Sequence, residues 1–153
     1  MVALAGSGFD IVICDRFSNS SIASINIFEK VVGRNTLMLE CDILDAVRVI
    51  AEMVANQCQA VLHSPGSMAV VDSVDNPISY FAKNVNGAIN LVQSLHAAEV
   101  RKLESSSSVP VYGEPEYLPY DEAHATKAIK LYDRAKLPTE EMLRDAAALD
   151  PTW

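Results

Sequence analysis

A chain of 153 residues, half of them hydrophobic and 21% charged, is long enough for one domain with its own core and too apolar for global disorder. Twelve Lys and Arg against twenty Asp and Glu leave a formal charge of −8, and the basic residues are scattered, which disfavours nucleic acid and other polyanionic partners. No apolar run reaches the roughly 18 residues of a membrane span and no basic-then-apolar leader opens the chain, while three cysteines without CxxC spacing predict reduced, buried thiols in a cytoplasmic protein.

In chain order, the run from Ile11 to Cys14 is too short for a helix and rich in branched residues, which predicts a strand covered on both faces. Asp15 sits at its end. The polar stretch from Ser18 to Ser21 supplies helix-capping residues, and Ile22, Ile25 and Phe28 recur at helical spacing until Gly33. Thr36 to Leu39 is the next predicted strand, with Asp42 just past it. Ile43, Val47, Ile50 and Val54 predict a second amphipathic helix, Ala60 to His63 a third strand, and Ser64 to Ser67 a loop. From Pro77 to Ala98 the positions Ile78, Phe81, Val85, Ala88, Val92 and Leu95 form the strongest helical pattern. Val100 to Ser107 predicts a fourth strand, interrupted by Glu104. Tyr112 to Ala125 reads as loop, and a last helix runs to about Leu149. Strands alternating with helices predict an α/β fold around a mainly parallel sheet, whose ligands gather at the strands' carboxyl ends, where Asp15, Asp42, Ser64 and Ser108 fall. His63, His96 and His124 lack ligand spacing, so no metal site is expected.

Several stretches in one order carry a resemblance: residues 75–81 (DNPISYF), 84–87 (NVNG), 106–113 (SSSVPVYG), 117–124 (YLPYDEAH) and 140–145 (EEMLRD). With the Tyr132 and Lys136 pair, the chain resembles the NAD-dependent UDP-glucose 4-epimerases of the extended short-chain dehydrogenase/reductase class. The resemblance implies a Rossmann-like, doubly wound, three-layer αβα fold with a mainly parallel sheet. It implies NAD as cofactor, a UDP-sugar substrate, a cytoplasmic homo-oligomer, and UDP-galactose/UDP-glucose interconversion through a transient 4-keto sugar. Ser108, Tyr132 and Lys136 match the family's catalytic residues. A phenol ionises near pH 10, and an ammonium one helical turn away favours its phenolate. Tyr132 would then take the sugar 4-hydroxyl proton as hydride leaves for the cofactor. Asp15, Asn19, Ser20, Asp42 and Ile43 match contacts to the adenosine half, Gly66 the loop beneath the pyrophosphate, and Asn84 the nicotinamide side.

Departures from the family are also visible. The family's first strand and glycine-rich turn have no counterpart. Gly6-Ser7-Gly8 reads either as the tail of the helix after that turn or as a clipped turn, and the missing strand would be central in the sheet. Ser64 to Met68 lacks the family's lysine, Pro110 replaces a threonine, Glu104 replaces an apolar residue, and Pro138 falls two residues after Lys136. Residues 1–153 are thus expected to form a partial NAD-binding domain without the half that grips the uridine nucleotide. The alternative reading is a catalytically inactive, epimerase-derived binding or assembly protein.

Overall fold

The computed structural model describes residues 1–64, 78, 82–127 and 131–153, apart from the side chains of residues 110 and 131–135. It opens with a short helix, α1 (Val2–Gly6), so Gly6-Ser7-Gly8 is the end of a helix and not a clipped turn. Strand β1 (Val12–Asp15) follows, then α2 (Ile22–Val32), in which Ser21 accepts the Ala23 N–H at the start. Gly33 closes α2 with φ of 73°, a left-handed conformation that costs a residue without a side chain least. Strand β2 is Leu37–Glu40, and α3 (Ala46–Ala55) starts on Asp45, whose side chain accepts the Arg48 N–H. Strand β3 is Val61–His63.

The predicted loop after Ser64 and the predicted helix up to residue 81, Ile78 apart, lie outside the described residues. From there a π-helical turn (Ala82–Asn86) leads into α4 (Gly87–Ala97), then β4 (Leu103–Ser105), which is shorter than predicted. Glu104 is exposed, so its carboxylate keeps its hydration and the burial cost does not arise. A 3-10 turn (Val109–Tyr112) precedes a loop in which Tyr112 stacks on Tyr120 at 5.5 Å and Tyr117 meets His124 at 3.9 Å between ring centroids. Helix α5 (Leu131–Leu149) runs unbroken through Pro138, so positions 132 and 136 share one helical face.

Strands β1 and β2 pair in parallel, Val12 opposite Leu37, and β3 and β4 pair in parallel, Val61 opposite Leu103. The two pairs are separate two-stranded sheets among the described residues. Their order follows from handedness. Helix α2 packs with α1, while α3 packs with α4, and the buried α2 residues Ile25 and Phe28 stand apart from the α3–α4 core. With α2 on one face and α3 and α4 on the other, right-handed crossovers place the strands as β2, β1, β3, β4. The unjoined edges of β1 and β3 therefore face each other across the middle, where the missing family strand was expected. One expectation is corrected here: Cys41 is buried and Cys58 half-buried, but Cys14 of β1 is exposed.

One core spans both pairs. Val49 and Met53 of α3 meet Leu91 and Leu95 of α4 over Cys41 from the end of β2, with Val61 of β3, Leu103 of β4 and Ile43 packed against them. Gly87 permits this approach, since a side-chain carbon there would come within 3.3 Å of the Ile43 methyl, and Asn90 Nδ2 donates to the Ile43 carbonyl at 2.5 Å. The stripe expected for α3 is corrected accordingly: Val49 and Met53 face α4, whereas Val47 is 81% exposed and Val54 60%. Leu95, with no exposed surface, should lose about 3 kcal/mol of stability on replacement by alanine, while Val47→Ala should change it by less than about 0.5 kcal/mol. Urea unfolding of the two variants checks this, and equal losses would refute the assigned face.

Candidate active site

Two groups of polar side chains form at the carboxyl ends of the strands. At the end of β1, Asp15 Oδ1 accepts the Phe17 N–H at 2.7 Å, which holds a turn with Phe17 at φ 53°. At the end of β2, Asp42 Oδ1 accepts the Leu44 N–H at 2.9 Å, and Asp42 Oδ2 meets Arg16 at 3.3 Å. Arg16 Nε also donates to Ser18 at 3.0 Å. One guanidinium thus ties the loop after β1 to the loop after β2, and both carboxylates stand at one end of this sheet pair. The Arg16–Asp42 contact is solvent-exposed and so contributes little to stability. Asn19 and Ser20 are exposed on the same loop, and Ile43 is half-buried beneath α4.

The second group lies at the ends of β3 and β4. His63, Asn84, Ser105, Ser106, Ser107, Lys136, Thr139 and Glu140 line a cavity of about 30 Å³, room for a water molecule or two. Lys136 is only 6% exposed. Burial pulls its pKa below the usual lysine value, and the Glu140 carboxylate one turn along the helix opposes that shift. Ser107 Oγ donates to Glu140, linking the strand end to α5, and Ser106 meets Ser64 at 3.5 Å. His63 Nδ1 lies 3.2 Å from Ser105 Oγ across the β3–β4 pair. Burial, and then the positive charge of Lys136, lower the His63 pKa from 6.5 to about 4.

Of the predicted site residues, the structure brings Asn84 and Lys136 to this cavity and Asp15 and Asp42 to the other strand ends. Ser108 is half-buried, and its carbonyl accepts the Val111 N–H to open the 3-10 turn. The serines that line the cavity are the three before it. Tyr132 has its backbone in α5, one turn before Lys136, and its side chain lies outside the described residues, as does Gly66. His63, Thr139 and Glu140 were not anticipated as site residues. Two of them had a readable signal: Glu140 follows Lys136 at i,i+4, and His63 ends a strand opposite a serine.

The depressed His63 pKa has a consequence for stability. Between about pH 6.5 and 4 the unfolded chain binds a proton at this residue and the folded chain does not, so the contribution is fully present above 6.5 and lost as pH falls towards 4. His63→Gln should flatten the fall in stability across that window, as measured by urea midpoints against pH. An unchanged slope would contradict a buried neutral imidazole.

The model described as the NAD dependent epimerase/dehydratase family matches residues 1–150. The UDP-glucose 4-epimerase of Bacillus subtilis (strain 168) is 36% identical over 152 residues, covering 99% of this chain and 45% of that protein. The human UDP-glucose 4-epimerase is 36% identical over 160 residues, covering 100% of this chain and 46% of that protein. The crystal structure of the Bifidobacterium longum UDP-glucose 4-epimerase in complex with NAD+ and UDP matches with a TM-score of 0.94 and 31% identity, over 99% of this chain and 46% of that one. The Stenotrophomonas maltophila enzyme with bound NAD and formylated UDP-arabinopyranose gives 0.93 and 34%, over 97% and 44%. The chain therefore spans about half the length of the curated relatives it matches. A parallel α/β framework, carboxylates and serines at its strand ends, a buried lysine on the last helix, and a family match along nearly the whole sequence lead to one conclusion: this chain belongs to the NAD dependent epimerase/dehydratase family.

Proposed function

We propose that the chain forms the NAD-binding half of a UDP-glucose 4-epimerase, acting in the cytoplasm within a homo-oligomer to interconvert UDP-galactose and UDP-glucose through a transient 4-keto sugar. The observation that carries this reading is the unbroken α5, which sets position 132 one turn before a Lys136 buried in a cavity edged by Ser105, Ser106 and Ser107. Relatives of twice the length would contribute the grip on the uridine nucleotide from the portion this chain does not span.

The donor set suits a dinucleotide at both ends. Asp15 uses one carboxylate oxygen for the Phe17 N–H, leaving the other for an adenosine ribose hydroxyl, and its charge would repel the extra phosphate of NADP. Asn19, Ser20, Asp42 and Ile43 border the adenosine side, with Gly66 beneath the pyrophosphate, and Asn84 reaches the nicotinamide side. NAD, when bound, accepts and returns the hydride. The protein's own task is the proton: Tyr132 takes it from the sugar 4-hydroxyl, Ser108 shares it by hydrogen bond, and the Lys136 ammonium favours the phenolate. Glu140 opposes the effect of burial on Lys136 and so favours its charged form.

A second reading, a catalytically inactive binding or assembly protein, is favoured by a different observation. The cavity of about 30 Å³ does not admit a nicotinamide ring without opening. Calorimetry and turnover separate the two. The epimerase reading expects saturable NAD binding weakened about tenfold or more by Asp15→Ala. It also expects UDP-glucose from UDP-galactose, with a loss of about a hundredfold on Lys136→Met. Heat with NAD or with a full-length epimerase, but no UDP-glucose from folded protein, would leave the binding role. Heat with neither would reject both.

A further inference from the structure

We propose, resting on the NAD-binding reading above, that Arg16 decides between a hydroxyl and a phosphate at the 2′ position of the adenosine ribose, and that through it the chain takes NADP as well as NAD. Arg16 directly follows Asp15 at the end of β1. Its Nε donates to Ser18 Oγ at 3.0 Å and its Nη1 to Asp42 Oδ2 at 3.3 Å. The guanidinium is thus held between the loops that leave β1 and β2. An arginine carries five N–H donors in one plane. Nη2 and the second N–H of Nη1 have no partner among the described residues, and the side chain is 46% exposed. A flat, anchored cation therefore offers unused donors at the strand ends that also carry the two carboxylates.

Charge defines what those donors can take. In dinucleotide-binding sheets an acidic residue at this strand end hydrogen-bonds the ribose hydroxyl of NAD, whereas an arginine nearby accommodates the 2′-phosphate of NADP. Here the two stand side by side in the chain. Asp15 commits one oxygen to the Phe17 N–H, and Asp42 already holds the Leu44 N–H and Arg16. Neither carboxylate can bind a phosphate, and each repels one. The planar guanidinium fork does the reverse, because it matches phosphate oxygens with charge-assisted hydrogen bonds and gains far less from a hydroxyl. The Arg16–Asp42 pair is exposed and contributes little to stability, so Arg16 can turn towards a ligand at small cost. Arg16 thereby offsets the repulsion by Asp15.

The test uses the full 153-residue chain, isotopically labelled, and two ligands that differ only in the 2′-phosphate: adenosine 5′-monophosphate and adenosine 2′,5′-bisphosphate. Both probe the adenosine end without calling on the small cavity beside Lys136. NMR titrations at one ionic strength, followed at the amides of Phe17 and Ser18, give the two dissociation constants. The bisphosphate should bind within about tenfold of the monophosphate or more tightly. Arg16→Ala should weaken the bisphosphate about tenfold or more and the monophosphate less than about threefold. Lys30→Ala, which removes the same charge from the exposed side of α2, should move neither. An unchanged ratio in Arg16→Ala, or an equal change in Lys30→Ala, would overturn the proposal while leaving the NAD-binding reading intact, provided that the monophosphate still binds and Asp15→Ala still weakens it. Failure of the folded chain to bind either nucleotide would overturn both.

Discussion

Leu95 and Leu91 of α4 packed on Val49 and Met53 of α3 make the contact on which everything else in this molecule rests. A pair of parallel strands three or four residues long has little stability of its own, and among the described residues there are two such pairs that do not join. The α3–α4 layer reaches under both, through Cys41 and Ile43 on one side and Val61 and Leu103 on the other. It substitutes for the strand-to-strand continuity that usually organises a doubly wound sheet. The glycine at the start of α4 and the Asn90 hydrogen bond to Ile43 are local devices that let this layer sit close.

From that contact follows the placement of chemistry. Because both strand pairs share one supporting layer, Asp15 and Asp42 project from the ends of one pair and the serine run follows the other. Helix α5 then closes over the second group, packed on the π-helical turn and the 3-10 turn, and so buries Lys136 beside His63 and Ser105 to Ser107. The electrostatics are consistent with this enclosure: burial pushes both Lys136 and His63 towards their neutral forms, and Glu140 counteracts it for the lysine only.

Much of this was legible in the amino-acid order. Apolar runs with turn residues after them marked β1, β2 and β3, and Ser21, Gly33 and the periodicity through Leu95 marked the helices, because these signals are local. The buried face of α3 was misread because Val47 and Val54 are as apolar as Val49 and Met53, and only the direction of α4 decides between them. Glu104 read as a defect in a strand, and its carboxylate instead keeps its water. Pro138 stood out in the sequence as a departure just after Lys136, and α5 nevertheless continues through it despite a local penalty of about 3 kcal/mol. At the site, Lys136 and Asn84 were visible from their motif. His63 and Glu140 left only a local trace, a histidine at a strand end and an i,i+4 spacing from Lys136, and the fold is what brings both to the cavity.

The shared helix layer can be tested by unfolding the chain in urea with two probes. Trp153, the one tryptophan, packs against the core beside β4, and the buried Cys41 thiol sits at the end of β2. With Cys14 and Cys58 replaced by serine, Trp153 fluorescence and Cys41 labelling should give one coincident midpoint, as expected when a single layer supports both strand pairs. Two separated midpoints would mean that the halves stand independently, and the α3–α4 contact would not be what holds them together.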